Sequence, residues 1–230
     1  QSPGPIYEPE GTSADYWRMA RAIRAAGFRA GDLVHCSFSY HLTPAGAMME
    51  TGAHAIGCTT FAGGVGNTEL QLQAVVDLRP HGYIGTPSFL KILLEKAAET
   101  GVDVRSITKA LVSGEAFPPS LRDWLRERGI EGYQAYATAD VGLIAYETAA
   151  REGLVVDEGV LLEIVRPGQR DHHLGVHPIG RLIGGVPEVL GAEDEAGLLR
   201  VARGILREDA AGLDHGAEAL PILEESVVDL

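Results

Sequence analysis

Helix-type and strand-type hydrophobic patterns alternate from Asp15 to Tyr136, and this alternation constrains the fold more than any other feature of the chain. Asp15 to Ala26 reads as an amphipathic helix, with Trp17, Ala20, Ile23 and Ala26 on one face and Gly27 as its stop. Strand-type runs follow at Asp32–Phe38, Ala55–Phe61, Gly82–Gly85, Lys109–Val112 and Gln134–Tyr136. Between them lie helical runs at Pro44–His54, Thr68–Leu78, Ser88–Thr100 and from Pro118-Pro119 to about Arg128. Proline is tolerated in a first helical turn because its missing N–H has no intrahelical partner there. Strands separated by helices of this length pair in parallel, so the expectation is an α/β fold with a mainly parallel sheet flanked by helices. Leu154 to Val165, with a turn at Glu158-Gly159, adds a β-hairpin or strand pair.

Past Pro167-Gly168 the alternation stops. Glu195 to Arg207 reads as one helix, and no strand series is evident. The charge balance shifts at the same place. Residues 1–170 carry 20 acidic against 15 basic side chains, whereas residues 171–230 carry 12 against four arginines. The reading is a domain over 1–168 and a divergent acidic tail over 169–230, less well packed. The formal charge of −13 argues against nucleic acid as a partner. No apolar stretch approaches the roughly 20 residues of a membrane span. Cys36 and Cys58 have neither metal-ligand spacing nor a disulfide framework around them, which fits a reducing, cytoplasmic setting. The chain opens at Gln1 rather than Met, so an upstream portion is one reading of its start.

In parallel α/β sheets ligands sit outside the carboxyl ends of the strands. Three segments at such positions carry residues suited to recognition. Ser113-Gly-Glu-Ala-Phe-Pro118 offers close backbone approach and a carboxylate; Tyr136-Ala-Thr-Ala-Asp-Val-Gly142 offers an aromatic face, a hydroxyl and an acid; Ala62-Gly-Gly-Val-Gly-Asn-Thr68 is glycine-rich. Singly, each is no more than a turn with useful residues, and Tyr136 also suits plain core packing.

Their order is more specific. Phe38-Ser-Tyr-His-Leu-Thr-Pro-Ala-Gly46, Gly66-Asn-Thr-Glu69, Gly85-Thr-Pro-Ser-Phe-Leu90, the segments at 113–118 and 136–140, Gly142-Leu-Ile-Ala-Tyr-Glu147 and Val160-Leu-Leu-Glu-Ile-Val-Arg-Pro167 follow one another here. Together they resemble the phenylacetate–CoA ligase branch of the adenylate-forming enzymes, over about residues 1–168. The resemblance implies an acid–thiol ligase that spends ATP to make an acyl-adenylate and then passes the acyl group to coenzyme A. It implies that Ser113, Gly114, Glu115, Tyr136 and Ala137 line an adenine site, with Tyr136 stacked on the base. Where the family has a hydroxyl and a glutamate, this chain has Ala139 and Asp140. Asp140 is then the expected Mg²⁺ ligand, and Thr138 the expected replacement hydroxyl. The acyl pocket is expected around Phe38, Tyr40, His41, Gly63, Gly64 and Gly66.

The departures are as informative. The family's phosphate loop belongs at or before residue 1, where Gln1-Ser-Pro-Gly-Pro5 is at best a degenerate remnant. No Thr-Gly-Asp follows Pro167, and the only lysines are Lys91, Lys96 and Lys109. The small domain's catalytic lysine therefore has no counterpart, and the chain by itself is expected to be a weak or inactive enzyme. Zinc, held by some relatives after the acidic motif, is not expected, because residues 147–155 contain neither Cys nor His. Asp171, His172, His173 and His177 form a separate cluster that reads as solvated loop. The alternative reading is a non-catalytic nucleotide- or acyl-binding module built on the same loops. A Rossmann-type oxidoreductase is disfavoured, since no Gly-x-Gly-x-x-Gly follows an early strand.

Overall fold

The computed structural model describes residues 8–165, 181–182, 198–203 and 225–228. Five parallel strands form its centre: β1 (Leu33–Cys36), β2 (Thr59–Ala62), β3 (Gly82–Gly85), β4 (Lys109–Val112) and β5 (Glu131–Thr138). Antiparallel strands β6 (Gly142–Glu147), β7 (Leu154–Val156) and β9 (Arg181–Leu182) extend the sheet, giving the order β2-β1-β3-β4-β5-β6-β7-β9. A second sheet joins β8 (Val160–Val165), β10 (Leu198–Arg203) and β11 (Glu225–Val228) in the order β11-β10-β8.

Helices cover both faces. One core, which includes Trp17, Ile23, Phe28, Val34, Met48, Ile84 and Leu111, packs α1 (Ala20–Ala25) and α2 (Ala45–Ala55) on the first face. The other, which includes Leu72, Tyr83, Leu90, Leu93, Ala110, Val112 and Leu125, packs α3 (Thr68–Leu78), α4 (Pro87–Thr100) and α5 (Pro119–Arg126) on the second. Because both faces are buried, β3 is buried at all four positions rather than alternating. The longest helix, α4, shows how local sequence sets its limits. The Thr86 hydroxyl accepts the Phe89 N–H, Pro87 occupies the first turn, and Gly101 ends the helix at φ 71°. Its inward stripe Leu90, Leu93, Leu94 and Ala97 follows the helical repeat.

Five expectations need correction. The first helix begins at Ala20 rather than Asp15: Asp15 and Arg18 take φ 52° and 63°, and the Asp15 carboxylate accepts the Ala20 N–H at 3.1 Å. The segment Ala55–Thr59 splits differently as well, because α2 runs on through Ala55 and β2 starts at Thr59. Strands β7 and β8 are not a hairpin, since β7 pairs with β6 and β9 while β8 pairs with β10. Within the expected 195–207 helix, residues 198–203 are strand β10, because β8 supplies a pairing edge that outweighs local helix propensity. The strands β9, β10 and β11 likewise replace the expected absence of strands past residue 168. Most of the 169–230 tail, the His172–His173 cluster included, lies outside the described residues, as does the Gln1–Pro5 segment. Among the described residues no helix is long and apolar enough to cross a membrane.

Candidate functional site

Parallel pairing brings the carboxyl ends of β1 to β5 to one edge of the sheet, and every candidate residue follows or ends one of those strands. Phe38, Tyr40 and His41 follow β1. Gly63, Gly64 and Gly66 follow β2. Ser113, Gly114 and Glu115 follow β4, and Tyr136, Ala137 and Thr138 close β5 ahead of the Asp140 turn.

Several of these segments touch. Gly114 takes φ 81°, and a Cβ placed there would lie 3.7 Å from Phe38 Cε1 and 3.8 Å from Thr86 Cγ2. The loops after β1, β3 and β4 thus meet at that glycine, which has room for a side chain but a backbone conformation that disfavours one. The Glu115 carboxylate accepts the Ser88 N–H at 3.3 Å, so it sits over the first turn of α4. Ser113 is buried, and its N–H donates to the Gly85 carbonyl at 3.2 Å. Beside them the Ser37 hydroxyl donates to the Tyr83 hydroxyl at 2.6 Å, which donates to the Thr86 carbonyl at 3.0 Å.

The second acidic element is a turn braced from outside. A register shift between Tyr136 and Ala137 lets β5 turn into β6. The Thr138 hydroxyl accepts the Val141 N–H at 3.3 Å, and Asp140 stands exposed at the tip. Trp17 Nε1 donates to the Ala139 carbonyl at 3.1 Å, Arg18 Nη2 donates to the carbonyls of Val141 and Leu143 at 2.9 and 3.1 Å, and the Leu143 N–H donates to Trp17. Tyr136 is half-buried against Val141, Ile144, Ala145 and Leu154, and among the described residues its hydroxyl has no hydrogen-bond partner. Burial, then the Asp140 charge, push its phenol up. Tyr136 therefore does the packing that its bare sequence context also allowed, while its strand position holds it beside the Asp140 turn.

Two acyl-pocket candidates are placed less directly. The Tyr40 hydroxyl donates to Glu50 Oε2 on α2 at 3.0 Å and its ring covers Gly46, so it is held toward the helix. His41 lies exposed in the turn after β1.

The sequence reading missed the residues that hold these loops. His35 and Gln71 are both buried, and His35 Nε2 lies 2.6 Å from Gln71 Oε1. Gln71 was legible as a polar residue beside Leu72 on the inward side of α3; His35 was hidden inside an apolar strand. Burial pushes His35 below its ordinary value of 6.5, with the Gln71 bond opposing. Its native form binds fewer protons than the unfolded chain, so its contribution to stability is present above pH 6.5 and is lost as pH falls below it. Thermal unfolding from pH 7.5 to 5.5 is expected to steepen below that point, by up to about 1.4 kcal/mol per pH unit. His35→Phe is expected to remove the steepening; an identical pH profile in that variant overturns the assignment.

A cleft of about 460 Å³ lined by Leu94, Ala97, Ile107, Arg128 and Ile130 opens at the amino ends of β4 and β5, and so is separate from these loops. Among the described residues no three His, Cys, Asp or Glu side chains converge as a metal cluster. Asp140 by itself suits the mode in which Mg²⁺ is held by one or two carboxylates together with a ligand's phosphates.

No protein-family model matches the chain. It is 31% identical over 162 residues to a phenylacetate–coenzyme A ligase of Aromatoleum evansii, an alignment covering 66% of this chain and 37% of that protein. With the phenylacetate–coenzyme A ligase of Pseudomonas putida it shares 33% identity over 126 residues, or 54% of this chain and 29% of that one. The chain thus spans about a third of the length of these relatives. Its fold matches an open conformation of 2-hydroxyisobutyryl-CoA ligase in complex with 2-HIB-AMP and CoA. That match has a TM-score of 0.64 at 20% identity and covers 81% of this chain and 40% of the other. The chain is therefore similar in sequence to part of the phenylacetate–CoA ligases and shares its fold with part of a solved acyl-CoA ligase.

Proposed function

We propose that this chain carries the adenine- and acyl-binding part of an AMP-forming ligase that activates an aryl or similar carboxylic acid with ATP and passes it to coenzyme A. The observation that carries this reading is the placement of the 38–41, 63–66, 113–115 and 136–140 segments at the carboxyl ends of β1, β2, β4 and β5, along one edge of the parallel sheet. In this reading the adenine lies between the Gly114 backbone and Tyr136, with Glu115 and Ala137 at its edge. Asp140 would hold Mg²⁺, which would supply charge neutralisation for the phosphates, and Thr138 would supply a hydroxyl. A substrate carboxylate oxygen attacks the α-phosphorus and pyrophosphate leaves; the coenzyme A thiolate then attacks the acyl carbon and AMP leaves. Both steps develop negative charge, so they need donors and cations placed in advance. Within this chain the described loops supply recognition more than charge neutralisation. The segment 169–230 is proposed to be a divergent acidic extension of the 1–168 domain, joined to it where β9 pairs with β7 and β10 with β8.

Calorimetry with ATP and Mg²⁺ tests the reading. Tyr136→Ala is expected to weaken binding about ten-fold or more, the loss that one base–aromatic stack brings. Far-ultraviolet dichroism of the variant checks that the fold persists. Unchanged affinity in a folded Tyr136→Ala protein overturns the adenine placement.

A further inference from the structure

Gln71 reaches from α3 into the loop after β2. Its Nε2 donates to the carbonyls of Gly64 at 3.0 Å and Gly66 at 2.6 Å. Both amide protons are thereby used, so Oε1 is an acceptor and His35 Nε2 is the protonated ring nitrogen that meets it. His35 is in turn fixed by Tyr83, stacked at 6.2 Å, and by the edge-on ring of Phe61 at 5.4 Å. The same loop is pinned at its start, where the N–H groups of Gly63 and Gly64 both donate to the Cys36 carbonyl.

The backbone so held follows a left-handed path that glycine and asparagine allow. Gly64, Gly66 and Asn67 have φ of 68°, 73° and 50°. A Cβ at Gly63 would lie 2.8 Å from both Gln71 Oε1 and His35 Nε2, so the loop rests directly on the pair. Three of the four residues 63–66 have no side chain, and the one that does, Val65, is 63% exposed and apolar. The shape this loop presents is accordingly set by its main-chain path, and that path is set by its carbonyl anchors.

We propose that Gln71 is a positioning residue of the acyl site: backed by His35, it fixes the Gly63–Gly66 backbone as a wall against the acyl group and so selects which carboxylic acids fit. This rests on the functional reading above, which places the acyl group at that loop. Gln71 touches no ligand in this scheme; it acts through the two glycine carbonyls. A purely structural role would weaken every ligand alike or none, whereas a positioning role affects the acyl half alone.

The test uses the whole chain with Gln71→Met, which keeps the side-chain length and removes both donors. Affinity is measured for AMP and for a non-hydrolysable phenylacetyl sulfamoyl adenosine, and hydrogen exchange is followed across residues 59–85. In Gln71→Met, AMP affinity is expected to stay within two-fold, while the acyl-adenylate analogue loses ten-fold or more. Amide exchange at residues 63–67 is expected to rise at least ten-fold, with β3 unchanged. Should Gln71→Met fail to fold, Gln71→Asn, which keeps the amide but shortens its reach, is read in the same way. Equal losses for both ligands, no loss for either, or unaltered loop exchange overturns the proposal and leaves the functional reading standing. No binding of AMP or of the analogue by the wild-type chain overturns the functional reading, and the acyl role of Gln71 with it.

Discussion

Arg18→Met is expected to lower the unfolding free energy by about 3–5 kcal/mol, the usual consequence of removing one partner from a buried ion pair. Asp157 is fully buried, and its Oδ1 lies 3.0 Å from Arg18 Nε. The next cation, Arg21, is 3.8 Å from Oδ2 and turns its other guanidinium nitrogen to the exposed Glu158 at 2.6 Å. Without Arg18 the carboxylate loses its charge-assisted bond, and the carbonyls of Val141 and Leu143 lose a shared donor. Those losses add, because one guanidinium serves both the carboxylate and the β5–β6 turn. Against a typical domain stability of about 5–15 kcal/mol the variant is expected to be marginal at 37 °C. Urea unfolding of the wild type, Arg18→Met, Asp157→Asn and the double variant forms the required cycle. The double variant is expected to be more stable than Arg18→Met, because it removes the stranded charge as well. A loss below about 1 kcal/mol, the range of an exposed pair, overturns the placement.

Gly142→Ala is expected to cost about 2–5 kcal/mol, combining a left-handed backbone penalty with overpacking. The residue has φ 80°, and a Cβ there would lie 2.7 Å from the Trp17 carbonyl oxygen and 3.0 Å from its Cα. These are backbone atoms, so no rotamer relieves the overlap. The Trp17 carbonyl is also the acceptor for the Leu143 N–H, which ties the strain to the bond that fastens the turn. Since that turn carries Thr138 and Asp140, the affinity for ATP with Mg²⁺ is expected to fall at least ten-fold, while binding of AMP without metal falls less. Denaturant unfolding and calorimetry read the two effects separately. Wild-type stability in Gly142→Ala overturns the close approach of Trp17; lost stability with unchanged nucleotide affinity overturns the role given to the turn.

Both residues mark the limit of what was legible beforehand. Trp17 is buried, as its apolar spacing implies, but it lies in the turn before α1 rather than on a helix face. Asp15 and Arg18 are left-handed ahead of that helix, and Arg18 pairs with Asp157, 139 positions away. No local pattern encodes that contact. Tyr136 shows the same limit from the other side: its place at the end of a strand was evident, but its packing against Ile144 and Leu154 depended on β6 and β7 folding back beside β5.

Local chemistry was sufficient for the alternating elements, the parallel centre and the loops that gather at its carboxyl edge. Period-2 and period-3.6 patterns, caps such as Thr86 and stops such as Gly101 act within a few residues and need no partner from afar. Tertiary structure alone decided that residues 198–203 pair with β8 as a strand, since their choice between helix and sheet rests on an edge supplied some 40 positions earlier. It alone set His35 against Gln71 beneath the glycine loop, and Arg18 against Asp157 beneath the acidic turn. Burial makes each of these polar contacts necessary, because a hydrogen-bonding group withdrawn from water has to find its partner wherever the fold brings one.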